Sequence, residues 1–135
     1  MSAPIAEIKG VEPKLKDKLD AEGIKNTEQL LKRAQTAKQR TELAHKVGVT
    51  QVVIKELANR ADLMRLSGVG NVYSNLLEEA GVNSCKELQH RIPEKLLNTL
   101  EEINTSKKLS QHVPTLVQVT QWVTEAKGFS ATSPE

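Results

Sequence analysis

The chain has 135 residues, 38% of them hydrophobic and 27% charged, with a formal net charge of +2. That composition suits one folded soluble domain, excludes a disordered chain, and supplies no global field of the kind that by itself marks a nucleic-acid binder. Tyr73, Trp122 and Phe129 are its only aromatic residues, so the core has to be aliphatic and platforms for stacking bases or sugars are scarce.

Further classes fall away on simple grounds. No apolar run reaches the roughly 18 residues that would span a membrane. The opening MSAPIAEIKG lacks a charged leader followed by an apolar stretch, so no secretory signal is expected. A lone cysteine, Cys85, excludes an internal disulfide framework and a cysteine-only metal site. The expectation is a cytoplasmic protein without a cofactor.

In chain order, Gly10 ends a short apolar segment at Ile8 and allows a tight turn with positive φ. A helix follows with Leu15 and Leu19 on its buried face, and Gly23 stops it. Asn26 with Gln29 starts the next helix, facing its core with Leu30 and Leu31. Thr36 with Gln39 forms a second capping box, opening a helix through Leu43, Ala44 and Val47 to Gly48. Thr50 caps a helix carrying Val53, Ile54, Leu57 and Ala61. Gly68 and Gly70 then repeat the glycine turn, followed by a helix with Tyr73, Leu76 and Leu77, a stop at Gly81, and a start at Ser84 with Glu87. Pro93 suits a first helical turn ahead of Leu96, Leu97, Leu100 and Ile103. Thr115 with Gln118 opens the last helix, with Leu116, Val119, Trp122, Val123 and Ala126 on one face and Trp122 as core anchor. Residues 128–135 read as a flexible, frayed tail.

This order contains an internal repeat at an offset of 58 residues. Gly10 matches Gly68, Leu19 matches Leu77, Gly23 matches Gly81, Ile24 matches Val82 and Leu30 matches Leu88, with no gap. The expected architecture is all-α: one compact domain over 1–127 made of two repeats, about 4–61 and 62–127. The charge divides with the repeat. Residues 1–65 hold thirteen basic and nine acidic side chains, a balance of +4, and residues 66–135 hold six and eight, a balance of −2. The most basic stretch is 25–46, which includes Lys32 and Arg33.

The pattern apolar-Gly-apolar-Gly between two short helices resembles the helix-hairpin-helix module. That resemblance implies a loop and helix N-terminus presenting N–H groups to a phosphate, which reads backbone and no sequence. It places Gly68, Gly70, Asn71, Ser74 and Asn75 at such a contact, with Lys14, Lys18, Lys32 and Arg33 as supporting cations. Two departures stand against it. Glu12 occupies the second glycine position of the first copy, and the second copy has no Lys or Arg between Ser67 and Cys85.

Over residues 4–127 the chain also resembles a bacterial, largely cyanobacterial, tandem helix-hairpin-helix family of unknown function. The residues that carry this are Gly10-Val11, Glu22-Gly23-Ile24, the run Asn59 to Arg65, Gly68-Val69-Gly70, Ala80-Gly81-Val82, Trp122 and Ala126-Lys127. The resemblance implies the fold and no settled activity.

Ala44, Gly48 and Ile54 also have the spacing of a helix-turn-helix, which would turn Thr50, Gln51, Lys55 and Asn59 toward a DNA groove. Chemistry for catalysis is not visible. His45, His90 and His112 lie far apart in sequence, Cys85 reads as a packing residue, and there is no P-loop or nucleophile elbow. The expectation is a non-enzymatic protein that binds DNA or RNA backbone without sequence specificity. The alternative is a protein-protein interaction or assembly adaptor whose glycine loops are structural, and a sequence-reading regulator comes third. No membrane and no small-molecule substrate are expected as partners.

Overall fold

Eight α-helices account for most of the computed structural model, which describes residues 2–135: α1 (Pro13–Ala21), α2 (Thr27–Arg33), α3 (Ala37–Val47), α4 (Gln51–Leu63), α5 (Asn71–Glu79), α6 (Cys85–Leu88), α7 (Pro93–Lys107) and α8 (Leu116–Phe129). Among the described residues the only strand-like pairing is an isolated bridge between Pro4 and Asn26. The chain is all-α, as its helical periodicity requires.

The local signals act as the side-chain chemistry demands. Thr36 and Thr115 form complete capping boxes with Gln39 and Gln118. Asn26, Thr50 and Ser84 each accept from an amide three residues on. Gln29 departs from a full box, because its side chain accepts from the amide of Lys25 instead of Asn26. Pro93 occupies the first turn of α7, where its missing N–H costs nothing.

The turns around the glycines recur 58 residues apart. Gly23 and Gly81 have φ of +80° and +86°, where an L side chain would be strained. Ile24 N–H donates to Leu19 O at 2.9 Å, and Val82 N–H donates to Leu77 O at 2.9 Å. Arginine side chains seal both turns: Arg33 Nη1 donates to Glu22 O at 2.9 Å, and Arg91 Nη2 donates to Ala80 O at 3.1 Å. The register is lost further on. α7 starts two residues earlier than the offset places it, and the segment Lys108–Thr115 delays α8.

Each half has its own apolar cluster. The first holds Ile5, Ile8, Leu19, Ile24, Leu30, Leu43, Ile54 and Leu57, and the second Leu66, Leu76, Leu77, Val82, Leu88, Leu96, Leu100 and Trp122. They meet where α4 ends, with Met64 in the first and Leu63 in the second. Trp122 is buried, tilted against Tyr73 at 5.5 Å between centroids, with its Nε1–H donating to Ser67 O at 2.8 Å. It anchors the core as its position in the sequence leads one to expect.

Polar contacts join the halves. Arg60 on α4 pairs with Glu78 on α5 at 2.7 Å and donates to Asn75 Oδ1 at 3.0 Å. Burial pushes the Glu78 carboxyl above its usual range, with Arg60 opposing that effect. Asp62, fully buried at the end of α4, accepts from the Cys85 amide at 2.8 Å, from Ser133 Oγ at 2.7 Å, and from Arg65.

Ser133 corrects the expectation of a frayed tail over 128–135. Phe129 closes α8, Ser130–Thr132 form a 3-10 turn, and Ser133 and Pro134 are buried. Gln35 Nε2 donates to Thr132 O at 2.9 Å, the Glu135 amide donates to Gln35 O at 3.0 Å, and Arg65 lies over the Phe129 ring at 4.7 Å. Asp62 is the physical reason: a buried carboxylate needs donors, and the tail supplies one.

Candidate functional site

The two glycine loops differ in what they leave open. In the first, Glu12 is the N-cap of α1 and Pro13 its first residue, so a carboxylate sits at the helix start and one N–H is missing. The loop lies against α4, sharing a cleft with Val49, Val53, Glu56, Leu57 and Arg60. A Cβ on Gly10 would meet Leu57 at 3.4 Å.

The second loop is open. Gly68, Gly70, Asn71 and Val72 are exposed and, with Tyr73, line a cleft of about 520 Å³ closed on its far side by Leu109, Ser110, Gln111 and His112. Gly68 has φ of +79° and is required by the turn. Gly70 is different. Its φ of −111° is ordinary extended backbone, and a Cβ placed there would meet nothing within 4 Å. Neither conformation nor packing calls for glycine at that position. Gly70 is the N-cap of α5 and supplies no side-chain acceptor, so no side chain caps the first amides of the helix.

The charge beside this loop is acidic. Glu125 on α8 accepts from the Ser67 amide at 3.1 Å and from Ser67 Oγ at 2.6 Å. No Lys or Arg lines the cleft.

Of the residues singled out in the sequence, Gly68, Gly70 and Asn71 come together on this surface. Ser74 and Asn75 do not, and their assignment as donors at the loop is corrected. Ser74 is fully buried with its hydroxyl donating to Asn71 O at 3.0 Å. Asn75 turns inward to accept from Arg60 and, at 3.3 Å, from Lys9 Nζ. Lys14 and Lys18 are exposed on α1, with Lys18 reaching over Gly48. Lys32 lies 3.8 Å from Glu28. Arg33 is spent on the α1 turn, holding Glu22 through both its carbonyl and, at 3.2 Å, its carboxylate. Arg40, in the same basic stretch, is buried with its guanidinium on Ala34 O and Gln35 O. The two arginines of the basic 25–46 segment are thus held by the fold, while Lys25, Lys32, Lys38 and Lys46 stay exposed.

The helix-turn-helix expectation meets a similar obstacle. α4 packs against α2, α3 and α5, Asn59 is buried, and Lys55 Nζ donates to Glu135 O. Asn59 therefore does not face a groove. Cys85 is buried, and desolvation followed by the nearby Asp62 charge pushes its thiol up to about 12, so it packs and does not react. Ser110, Gln111 and His112, which complete the cleft, were not signalled by any motif. They belong to the α7–α8 connection and reach Gly68 only through the fold.

The fold is a small all-α domain with one open glycine loop, and its sequence pattern has a defined home. Residues 9–129 match the profile of DUF4332, a domain family of unknown function, and the chain belongs to that family. No curated protein and no solved structure shows significant similarity to it.

Proposed function

We propose that the chain is a non-enzymatic tandem helix-hairpin-helix protein that holds a nucleic-acid phosphate on its second hairpin, Gly68–Tyr73, without reading sequence. The observation that carries this is Gly70, a glycine with no conformational or packing reason of its own. A missing Cβ at the uncapped start of a helix lets an anion approach the N–H groups and the positive end of the dipole. The first hairpin is no counterpart, with Glu12 and Pro13 in place of donors. With Arg33 held on Glu22 and no Lys or Arg lining the cleft, about one or two phosphate contacts are expected, which gives a logarithmic salt slope of about −1 to −2 on duplex DNA.

The test is anisotropy with labelled duplex and single-stranded DNA and RNA at low salt, comparing the native chain with Gly70→Asp. Asp is a favourable N-cap, so the variant keeps its melting temperature while placing a carboxylate where the phosphate would sit. Loss of at least tenfold in affinity supports the reading. Absence of binding by the native chain, or equal binding by the variant, overturns it.

The adaptor reading is favoured by one specific observation, the acidic character around the second loop, with Glu125 on Ser67 and no Lys or Arg in the cleft. It requires a defined protein partner retained after nuclease treatment, with binding unchanged in Gly70→Asp, since its glycine loops are structural.

A further inference from the structure

Four of the five arginines pair with a carboxylate: Arg33 with Glu22, Arg60 with Glu78, Arg65 with Asp62 and Arg91 with Glu87. Arg40 on α3 is the exception, and at 4% exposure it is also the one arginine that is fully buried. Its Nη1 donates to Ala34 O at 2.9 Å and to Gln35 O at 3.1 Å, while its Nε is buried with no acceptor. The two carbonyls lend the cation partial negative charge and no counterion. A buried charge in that state is costly unless an anion completes it.

A second cation stands beside it. Glu135 ties the two together: its amide donates to the same Gln35 O at 3.0 Å, and its main-chain O accepts from Lys55 Nζ on α4. Desolvation holds the half-buried Lys55 ammonium below its usual range, and the Arg40 charge adds to that effect, with Glu135 and Asp62 opposing it. Among the described residues Lys55, like Arg40, forms no ion pair with an Asp or Glu side chain. Asp62 is already taken by Arg65, the Cys85 amide and Ser133. Two positive charges from different helices therefore sit together in a partly desolvated place, and the group lying across them is the exposed end of the tail.

We propose that Arg40 and Lys55 form a binding site for one small dianionic oxyanion of the inorganic phosphate class, which takes the place of Glu135 at the end of the tail. Charge selects the ligand. Above neutral pH a phosphate carries close to two negative charges and balances both cations, whereas a carboxylate balances one. Its oxygens accept from several directions, which suits a guanidinium with an N–H to spare and an ammonium arriving from another helix. Burial sets the size. With Arg40 beneath the tail, the site admits a free anion and excludes the backbone of a nucleic acid. Ser133 stays on Asp62 at 2.7 Å, so the exchange displaces Glu135 and leaves the rest of the tail docked. This site does not rest on the phosphate reading of the second hairpin and stands or falls without it.

The experiment is calorimetric titration of the full chain with inorganic phosphate up to about 20 mM, at pH 8 and at an ionic strength held constant with potassium chloride. Acetate and a single-stranded oligonucleotide at equal phosphate content are titrated in parallel. Arg40→Met risks the fold, because Arg40 also holds Ala34 O and Gln35 O. The variant used is Lys55→Met, with Lys38→Met on the exposed side of α3 as control, and circular dichroism establishes that both fold. The native chain binds phosphate saturably and at least tenfold more tightly than acetate. Lys55→Met loses at least tenfold in affinity, Lys38→Met is unchanged, and the oligonucleotide does not displace bound phosphate. Amide exchange followed by NMR reports the tail: phosphate speeds exchange at Glu135 and leaves the Lys86 amide, which donates to Ser133 Oγ, as it was. No saturable binding above the chloride background overturns the proposal, as does equal affinity for acetate, equal binding by Lys55→Met, displacement by the oligonucleotide, or phosphate binding with the Glu135 amide still protected.

Discussion

Replacing Ser133 by alanine removes one oxygen and tests whether the tail closes the molecule. Ser133 Oγ donates to the Asp62 carboxylate at 2.7 Å and accepts from the Lys86 amide at 3.2 Å. The first is a buried hydrogen bond to a charged acceptor, worth about 1.5–3 kcal/mol. Lys86 is exposed, so water replaces much of the second. A loss of about 2 kcal/mol is expected. For a chain of 135 residues, the unfolding entropy is roughly 0.28 kcal/mol/K, which makes that loss a fall of about 7 °C in Tm. With a urea m-value near ~1.5 kcal/mol/M, the midpoint moves down by about 1.3 M. Local undocking of the tail sets an upper limit, because a tail that simply detaches costs only its own docking free energy. Hydrogen exchange at the Cys85 amide, which shares the Asp62 acceptor at 2.8 Å, distinguishes the two. A double-mutant cycle with Asp62→Ala isolates the pair, since Asp62→Ala alone also strips Arg65 and the Cys85 amide of their acceptor. A midpoint within 0.2 M of the native chain, with no coupling in the cycle, would falsify the docked tail.

The thiol gives a pH signature. With Cys85 pushed up to about 12 by burial and by Asp62, the unfolded chain loses that proton near pH 9 while the native chain keeps it, so stability falls by about 1.4 kcal/mol per pH unit between those values. Urea titrations from pH 8 to 11 show this slope as the difference between the native chain and Cys85→Ala, and identical slopes would refute it. At pH 8 an aromatic disulfide reagent labels Cys85 only after urea is added. Arg33→Met and Arg91→Met each lose about 1 kcal/mol by removing a hydrogen bond to the turn carbonyl, and urea midpoints that move for one variant alone would break the equivalence of the turns. Glu125→Gln keeps an acceptor for Ser67 and removes a charge. A carboxylate within about 7 Å of a phosphate costs about 0.5–1 kcal/mol at solvent-like dielectric, so DNA binding at low salt strengthens about three- to fivefold, and weaker binding would count against a phosphate at this loop.

The features legible in the sequence are those whose causes lie within a few residues. Thr36 with Gln39 and Thr115 with Gln118 cap their helices because both partners sit on one turn. Gly23 and Gly81 end helices because positive φ is a property of the residue itself. The tail was illegible for the opposite reason. Its small polar residues have no local partner, and the carboxylate that orders Ser133 lies 71 positions away. One trace existed: Asp62 sits between Ala61 and Leu63 in an apolar run, and a carboxylate there needs donors. The candidate site divides the same way. The open second loop followed from the spacing of Gly68 and Gly70, while the inward turn of Ser74 and Asn75 depended on Lys9 and Arg60 from the other half.

Charge is the least legible quantity, because a formal count does not say which cations are spent. Arg33 and Arg91 stand 58 positions apart and each closes a turn. That match was visible in the sequence and argues that both are structural, so neither belongs in an electrostatic footprint. Arg40, Arg60 and Arg65 likewise satisfy carbonyls, Asn75, Glu78 and Asp62. Of the thirteen basic residues in the first half, its four arginines all serve the fold, and what reaches solvent is lysine, partly paired with Glu22, Glu28 and Asp20. The basic half is therefore far less basic to a ligand than to a count. On the proposed phosphate reading, the second loop has to draw on backbone donors and the dipole of α5, which is why a shallow salt dependence and sensitivity to the single carboxylate of Glu125 are the outcomes expected of it.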